Sequence, residues 1–188
     1  MVNDISDVDR LCRIFCNVIE EIVTARALED TNGVKLSRAQ FDGLQYVYLH
    51  PKCCIKDLAC GLSVSHPAAV KLVERLESRG LVTRAADKRD RRVVQLKVTR
   101  AGSRQAAATI AARGEAIQRI AARAGGECSA DLQACLCAFV RAALESEKDT
   151  SGVCLRCGGG HSDDCPVCQA ELELLGRLRS DSQRTCRH

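Results

Sequence analysis

Aromatic side chains are scarce in this chain of 188 residues: phenylalanine, tyrosine and tryptophan together make up 3%, and tryptophan is absent. Proteins that bind single-stranded nucleic acid stack bases on several exposed rings. The small number of rings therefore argues against a base-stacking platform of that type.

Long apolar runs are also missing. No stretch approaches the roughly 18 consecutive apolar residues that a membrane span needs. Asp4, Asp7 and Asp9 lie where a signal peptide would carry positive charge and then an apolar run. These features predict a cytoplasmic protein with no membrane partner.

Sequence motifs of the common enzyme classes are absent too. The chain has no phosphate loop, no dinucleotide fingerprint and no nucleophile motif. We therefore expect a protein that is not an enzyme. Its 46% hydrophobic and 28% charged residues are enough to build a core, which excludes a disordered or fibrous chain.

Residues 8–28 have the periodicity of one amphipathic helix, because apolar residues recur every three or four positions. The stripe is wide enough to need a covering partner, so it indicates either a core helix or a dimerisation helix. Its members are Val8, Leu11, Phe15, Val18 and Ile22.

The next segment has the pattern of a helix-turn-helix. Ser37 and Gln40 form a capping-box signature, and a short helix over 55–60 is expected to end with Gly61 at the position after the helix. A third helix over 65–79 follows the turn at 61–64. Its expected inward face consists of Ala69, Leu72, Val73 and Leu76.

Residues 82–99 are predicted to form a two-stranded hairpin with a polar tip. Between Arg84 and Arg104 the sequence contains eight basic and two acidic residues. The local excess of +6 exceeds the net charge of +4 of the whole chain. A basic hairpin directly after such a helix is typical of a wing that binds DNA, because narrow minor grooves attract arginine.

Three stretches together resemble the MarR family of winged-helix transcriptional regulators. They are VERLESRGLVTR over 73–84, DKRDRR over 87–92 and LKVTRAG over 96–102. The resemblance implies a homodimer in which the terminal helices form the dimer base and two winged lobes bind a palindromic operator in double-stranded DNA. It also implies a transcriptional regulator, for which we expect repression, with a small-molecule effector as a possible modulator.

Within this resemblance, the helix over 65–79 would enter the major groove and the wing tip would reach the minor groove. Residues 66–69, His-Pro-Ala-Ala, stand where relatives usually carry serine and threonine, so fewer hydroxyl contacts are expected. Arg92 would pair with Asp87 or Asp90, or contact a phosphate. The candidate DNA-binding residues are Ser63, Ser65, His66, Val70, Lys71, Arg75, Arg89, Arg91 and Arg92.

The C-terminal segment, residues 149–188, carries a four-cysteine pattern that is not part of the usual family sequence. Two CxxC pairs are separated by seven residues, a spacing typical of a tetrahedral thiolate site. Zinc is the expected metal, and an iron–sulfur cluster is the alternative. The predicted ligands are Cys154, Cys157, Cys165 and Cys168.

We expect this segment to be a zinc-knuckle-like appendage with a loop over 149–153 and no hydrophobic core of its own. Metal binding would then supply most of its folding free energy. A brief helix over 169–179 and a flexible tail would follow. The appendage would be either a structural clip or a sensor, and His161 is expected to be a bystander.

Two further cysteines, Cys12 and Cys16, lie four residues apart and therefore on one face of the first helix. One branch of the family senses peroxide with a cysteine early in this helix, which makes both residues candidate redox sensors. Free cysteines are more often small buried apolar residues, and we expect this for Cys53 and Cys54 as well.

Thr99 is predicted to cap a helix that runs to about Ala124, and a last long helix is predicted over 129–147. The sequence thus predicts a mainly α fold: a winged helix-turn-helix with long N- and C-terminal dimerisation helices over 1–148, and the cysteine-rich appendage over 149–188. The rival prediction is a metal-thiolate redox or metal-handling protein in which the helices are only a scaffold.

Overall fold

The computed structural model describes residues 5–30, 34–86, 94–157 and 163–178. No helix within these ranges is long and apolar enough to cross a membrane. The elements, in chain order, are α1 (Ile5–Asn17), a π-helical segment (Val18–Thr24), α2 (Ala25–Asp30), α3 (Arg38–Leu49), α4 (Ile55–Gly61), α5 (His66–Ser78), β1 (Val82–Ala86), β2 (Val94–Val98), α6 (Arg100–Ala124), α7 (Gly126–Ala143), α8 (Glu147–Cys157) and α9 (Pro166–Leu175).

The first amphipathic helix is present as one helical run over residues 5–30 whose middle is π-helical. In that middle, the Thr24 hydroxyl donates a hydrogen bond to the carbonyl oxygen of Ile19 at 3.0 Å. Val23, Thr24 and Ala27 are buried. The N-terminal part of the stripe is not covered, because Val8, Leu11, Ile14 and Phe15 are exposed. These residues therefore do not belong to the core of the protomer.

The core of the protomer lies in a lobe formed by α3, α4, α5, both strands and the start of α6. The predicted capping box at the start of α3 is confirmed, with Ser37 and Gln40 bonding reciprocally. The predicted inward face of α5 is also confirmed. The fully covered members of this core include Phe41, Leu44, Leu58, Val73, Leu76, Leu81 and Leu96.

Gly61 has a different role from the predicted one. It is the last residue of α4 and its φ is not positive, so it is not a left-handed cap. A Cβ atom at this position would lie 2.0 Å from Cε2 of Tyr46. Glycine is needed there because the tyrosine ring packs directly on the backbone.

The predicted wing is present in the described residues as an antiparallel pair of strands. The register pairs Val82 with Val98 and Ala86 with Val94. Ala85 and Ala86 belong to β1 rather than to the tip, so the first strand is longer than predicted. The predicted tip residues 87–93 lie outside the described residues.

Two long helices follow the wing. Thr99 caps α6 as predicted, accepting a hydrogen bond from the Gly102 amide at 3.0 Å. The helix breaks at Gly125, whose φ is 93°. The next helix begins earlier and ends earlier than the predicted 129–147, and one side of it remains uncovered. Its exposed apolar residues are Leu132, Leu136 and Phe139.

The loop expected over 149–153 is wrong, because these residues lie within α8. The Ser146 hydroxyl oxygen accepts a hydrogen bond from the Asp149 amide at 3.3 Å and begins the helix. Cys154 and Cys157 therefore lie on a helix rather than in a knuckle turn. The helix expected over 169–179 spans Pro166–Leu175 instead, and the predicted tail over 180–188 lies outside the described residues.

Apolar contacts join this segment to the end of the preceding helix. Leu144, Val167 and Ala170 form a small buried cluster between α7, α8 and α9. The Arg141 guanidinium donates a hydrogen bond to the Glu173 carboxylate and ties α7 to α9. Burial of these apolar side chains therefore stabilises the segment even without a bound metal.

Candidate nucleic-acid interface and cysteine hairpin

The turn between α4 and α5 is fixed by backbone hydrogen bonds. The Val64 amide donates to the carbonyl of Ala59 at 2.9 Å, and the Ser63 amide donates to that of Cys60 at 3.0 Å. Ser63 has a φ of 54°, the left-handed conformation that is uncommon for serine. The Ser65 hydroxyl oxygen then accepts from the Ala68 amide at 3.4 Å and begins α5.

Helix α5 has one buried side and one exposed side. Ala69, Leu72, Val73 and Leu76 are buried against the lobe. The candidate DNA-binding residues of this region lie on the opposite side or in the turn before it: Ser63, Ser65, His66, Lys71 and Arg75 are exposed and Val70 is half-buried. The structure thus brings these six predicted residues together on one surface.

The wing is attached to the end of α5 by contacts that the sequence did not reveal. The Arg84 amide donates to Oε1 of Glu77 at 3.1 Å. Its guanidinium Nη1 lies 3.3 Å from Glu77 Oε2. The Thr99 hydroxyl donates to the carbonyl of Gly80 at 2.7 Å. These bonds fix both strands relative to α5.

A second set of bonds fixes the wing to the α3–α4 connection. The Leu96 amide donates to the carbonyl of Cys53 at 2.7 Å. Cys54 and Gln95 form an antiparallel bridge. The three predicted wing-tip contacts, Arg89, Arg91 and Arg92, lie outside the described residues, so their predicted role in DNA binding stays a prediction.

The two cysteines before α4 are structural. Cys53 is buried, and burial, with smaller contributions from nearby Asp57 and Cys54, raises the pKa of its thiol to about 12. Burial also raises the pKa of Cys54, whose amide donates to Oδ2 of Asp57 at 2.9 Å. Both thiols therefore stay protonated near neutral pH and are poor nucleophiles.

The other cysteines outside the appendage lie in different surroundings. Cys12 and Cys16 are both exposed on α1, so they are accessible to oxidants, and their predicted sensor role stays a prediction. Tyr46 is buried in the lobe, and burial raises its pKa well above the usual range. Cys60 is disulfide-bonded.

The four predicted metal ligands lie on α8 and at the start of α9. They are reduced thiols rather than disulfides. Cys154 and Cys165 pack against the cluster of Leu144, Val167 and Ala170. Cys168 is buried, whereas Cys157, the last residue of α8, is exposed.

The chemistry of this donor set fits a soft divalent metal, because four thiols at CxxC spacing can supply a tetrahedral shell. The described positions of the four thiols do not form such a shell. Within the ranges that the structure describes, no three cysteine, histidine, aspartate or glutamate side chains are grouped so that they could hold one metal ion. His161 lies outside those ranges.

A helix-turn-helix whose second helix is followed by a two-stranded antiparallel hairpin defines the winged-helix class of domain. Residues 36–94, which contain α3, α4, α5 and β1, match the MarR family. This part of the chain is therefore similar to the MarR family, in agreement with the resemblance of the sequence motifs.

Several solved structures have a similar fold. The fold is similar to the transcriptional regulator Tm0710 from Thermotoga maritima, with 28% identity and a TM-score of 0.57 over 74% of this chain and 95% of that chain. A MarR family protein from Bacillus stearothermophilus is similar at 20% identity and a TM-score of 0.62, covering 70% of this chain and 89% of that chain.

A third similar structure is a MepR variant from S. aureus bound to an oligodeoxyribonucleotide, at 21% identity and a TM-score of 0.53 over 72% of this chain and 96% of that chain. Proteins of the MarR family are transcriptional regulators and not enzymes. The comparisons therefore support a DNA-binding regulator and confirm the expectation of a non-enzymatic protein.

Proposed function

We propose that this protein is a homodimeric transcriptional repressor that binds a palindromic operator in double-stranded DNA. Helix α5 would lie in the major groove and the wing beside it in the minor groove. The observation that carries this proposal is the two-sided α5: its apolar side anchors it to the lobe, and its outer side presents His66, Lys71 and Arg75.

The dimer part of the proposal rests on uncovered apolar surface. Monomeric proteins rarely expose contiguous apolar patches larger than a few hundred Å². The exposed fraction reaches 60% for Leu11 on α1 and 61% for Phe139 on α7. A second copy that packs these faces together would bury them and hold two lobes apart for two half-sites.

The metal part of the proposal assigns zinc to Cys154, Cys157, Cys165 and Cys168. It is supported by the spacing of the four thiols and by the packing of Cys154 and Cys165 against one cluster. Zinc coordinated there would cross-link α8 to α9. The appendage would then strengthen the C-terminal part of each protomer.

Regulation by a small effector would act on the spacing of the two lobes. A ligand shifts the equilibrium between two lobe spacings only to the extent that it binds one spacing more tightly than the other. An effector that prefers the spacing unsuited to the operator would release the repressor.

The DNA-binding proposal is tested with a duplex selected from a random library by the full-length protein. Lys71→Glu and Arg75→Glu each reverse a charge on the exposed side of α5. We expect each to weaken binding by about 1–3 kcal/mol and to lower the salt slope of log K by about 1 for each phosphate that the variant no longer neutralises. Fluorescence anisotropy at several salt concentrations measures both.

Arg123→Glu is the matched control, because Arg123 is an exposed arginine in the last turn of α6. This substitution makes the same charge change away from the proposed surface. It should leave the affinity for the duplex close to that of the parent. Equal losses in all three variants would show a nonspecific charge effect and contradict the assigned surface.

The wing is tested separately by the double variant Arg89→Glu/Arg91→Glu. We expect loss of duplex binding with unchanged thermal unfolding, because the basic tip would contribute electrostatic contacts rather than core packing. A metal-handling protein would tolerate this change, so unaltered DNA affinity would favour that alternative.

A further inference from the structure

One guanidinium joins the N-terminal helical run to the winged lobe. Arg38 is the first residue of α3, and its Nε donates to both carboxylate oxygens of Asp42 at 3.0 Å. Its Nη1 forms an ion pair with the carboxylate of Glu20, which lies in the π-helical segment. The Arg38 side chain therefore connects the π-helical segment directly to the first turn of α3.

The start of α3 holds the backbone of Arg38 in place. The Gln40 amide donates to the Ser37 hydroxyl oxygen at 3.3 Å, and the Ser37 amide donates to Oε1 of Gln40 at 3.0 Å. Helix α3 in turn packs against α5 and β2. An orientation that is fixed at Arg38 is therefore passed on to the lobe that presents α5.

Helix α6 brings a second guanidinium to the same place, because it contacts both α3 and the π-helical segment. Its Arg113 is half-buried. Burial and the nearby charge of Arg38 lower the pKa of Arg113, and the carboxylate of Asp42 opposes this change. Glu20, Arg38, Asp42 and Arg113, here named the junction cluster, thus carry two positive and two negative charges from three elements.

The geometry of the junction cluster matters more than its contribution to stability. The side chains of Arg38, Glu20 and Asp42 are 43%, 39% and 35% exposed. Ion pairs with this exposure contribute little to the free energy of unfolding. A guanidinium is planar and directs its donors along fixed lines, so two carboxylates bound to it define an angle between the elements that carry them.

The junction cluster lies between the two surfaces that the proposed function requires. On the N-terminal side, α1 exposes Val8, Leu11 and Phe15, which the proposed dimer would cover. On the C-terminal side, α3 begins the lobe that presents α5. Short π-helical segments within α-helices are frequent at functional sites. The angle at this junction therefore determines how far apart the two α5 helices of a dimer lie.

We propose that Arg38 is a positioning residue that determines which half-site spacing the dimer accepts, because its contacts with Glu20 and Asp42 set the angle between α1 and the winged lobe. This inference rests on the proposed function for the dimer and the DNA. Lobes that are already oriented bind a matching pair of half-sites without the cost of ordering them. Loss of the Arg38 charge should therefore affect binding to two half-sites and spare binding to one.

The spacing is tested with the full-length protein on variants of the selected duplex. Their two half-sites keep the original separation or are moved by one base pair in either direction, and a further duplex carries a single half-site. For the parent, we expect the Kd to rise by about fivefold or more when the separation changes. For Arg38→Gln, this rise should be less than about twofold, and the Kd for the single half-site should match that of the parent.

Glu20→Gln removes the partner of Arg38 and should weaken the spacing preference to the same extent. The double variant Glu20→Gln/Arg38→Gln should show no further loss, because the two residues act as a pair. Arg119→Gln is the matched control: it removes an exposed guanidinium whose ion pair with Glu115 lies within α6. This control should keep the spacing preference of the parent.

Circular dichroism and thermal unfolding of every variant should be close to those of the parent, because exposed ion pairs contribute little to stability. A parent without a spacing preference would overturn the proposal. So would an Arg38→Gln variant that keeps the preference of the parent, or an equal loss of preference in Arg119→Gln.

Small-angle X-ray scattering of the DNA-free protein separates this inference from the proposed function. The distribution of interatomic distances should be broader in Arg38→Gln and Glu20→Gln than in the parent and in Arg119→Gln. If this holds but no duplex is selected, the repressor proposal fails and the positioning role of Arg38 is supported. If the parent and Arg38→Gln bind the duplexes with the same spacing preference, the inference is wrong and the DNA-binding proposal stands.

Discussion

At the scale of single residues, the lobe depends on a close contact between Tyr46 and the backbone of α4. The buried tyrosine ring occupies the space where a side chain at position 61 would begin. Protein interiors tolerate such extra volume poorly, because neighbours are already in contact. This makes Gly61 a packing residue of the helix-turn-helix rather than a turn residue.

Gly61→Ala should lower the free energy of unfolding by about 1–3 kcal/mol, because the new methyl group must displace the ring of Tyr46. Gly114→Ala is the control, since Gly114 lies within α6 with no atom within 4 Å of the added Cβ. It should stabilise the protein by about 0.5–1 kcal/mol through helix propensity. Urea unfolding of both variants distinguishes the effects, and a neutral Gly61→Ala would contradict the described packing.

Cys53 gives a pH dependence of stability with a defined sign. The folded-state pKa of about 12 lies above the ordinary value of 9.0. The stabilisation is therefore complete below pH 9 and is lost as pH rises towards 12, because the unfolded chain ionises first. Between pH 8 and pH 10 we expect the parent to lose about 1 kcal/mol more stability than Cys53→Ala does.

The control for this measurement is Cys16→Ala, which removes an exposed thiol on α1. Its stability should follow that of the parent at both pH values in denaturant titrations. A parent and a Cys53→Ala variant with the same pH dependence would show that Cys53 ionises equally in both states.

Residue-scale prediction from the sequence succeeded where the signal is local. Capping by Ser37 and Thr99 depends on residues three positions away, so the sequence contains the whole signal. The contact of Glu77 with Arg84 and the packing of Tyr46 on Gly61 join separate elements. No spacing rule identifies such pairs, and neither contact was predicted.

At the scale of elements, α8 changes the interpretation of the cysteine segment. A Ser-x-x-Asp pattern at Ser146 and Asp149 is an N-terminal helix signal that the sequence interpretation did not use. The polar composition of residues 149–153 favoured a loop instead. Helical geometry also satisfies the CxxC spacing, because residues three apart share a face of a helix.

Removal of the cap tests this element. Ser146→Ala should destabilise α8 by about 1 kcal/mol, because the Asp149 amide loses its acceptor. Ser129→Ala, which removes a hydroxyl within α7, should have a smaller effect. Hydrogen exchange of residues 149–157 measures the change, and identical exchange in both variants would contradict the cap.

At the scale of the whole molecule, the long helices leave apolar surface that the protomer does not cover. The sequence left open whether the first stripe is core or interface, because periodicity identifies an apolar face but not its partner. The exposure of Val8, Leu11, Ile14 and Phe15 favours an interface. The division of the chain into a winged-helix domain over 1–148 and an appendage over 149–188 stays a prediction.

The proposed dimer predicts that Leu11→Asp/Phe139→Asp yields a monomer in sedimentation velocity, because charges would be buried at the interface. Val34→Asp is the control, since Val34 is an exposed apolar residue between α2 and α3. The control should sediment as the parent does. A dimer that survives the double variant would place the interface elsewhere.

The most direct test of the central claim is hydroxyl-radical footprinting of the full-length protein on its selected duplex. Two symmetric protected patches about one helical turn apart are predicted, one for each winged lobe. A single unsymmetric patch, or protection that persists after Lys71→Glu and Arg89→Glu/Arg91→Glu are combined, would contradict a dimer that binds DNA through α5 and its wing.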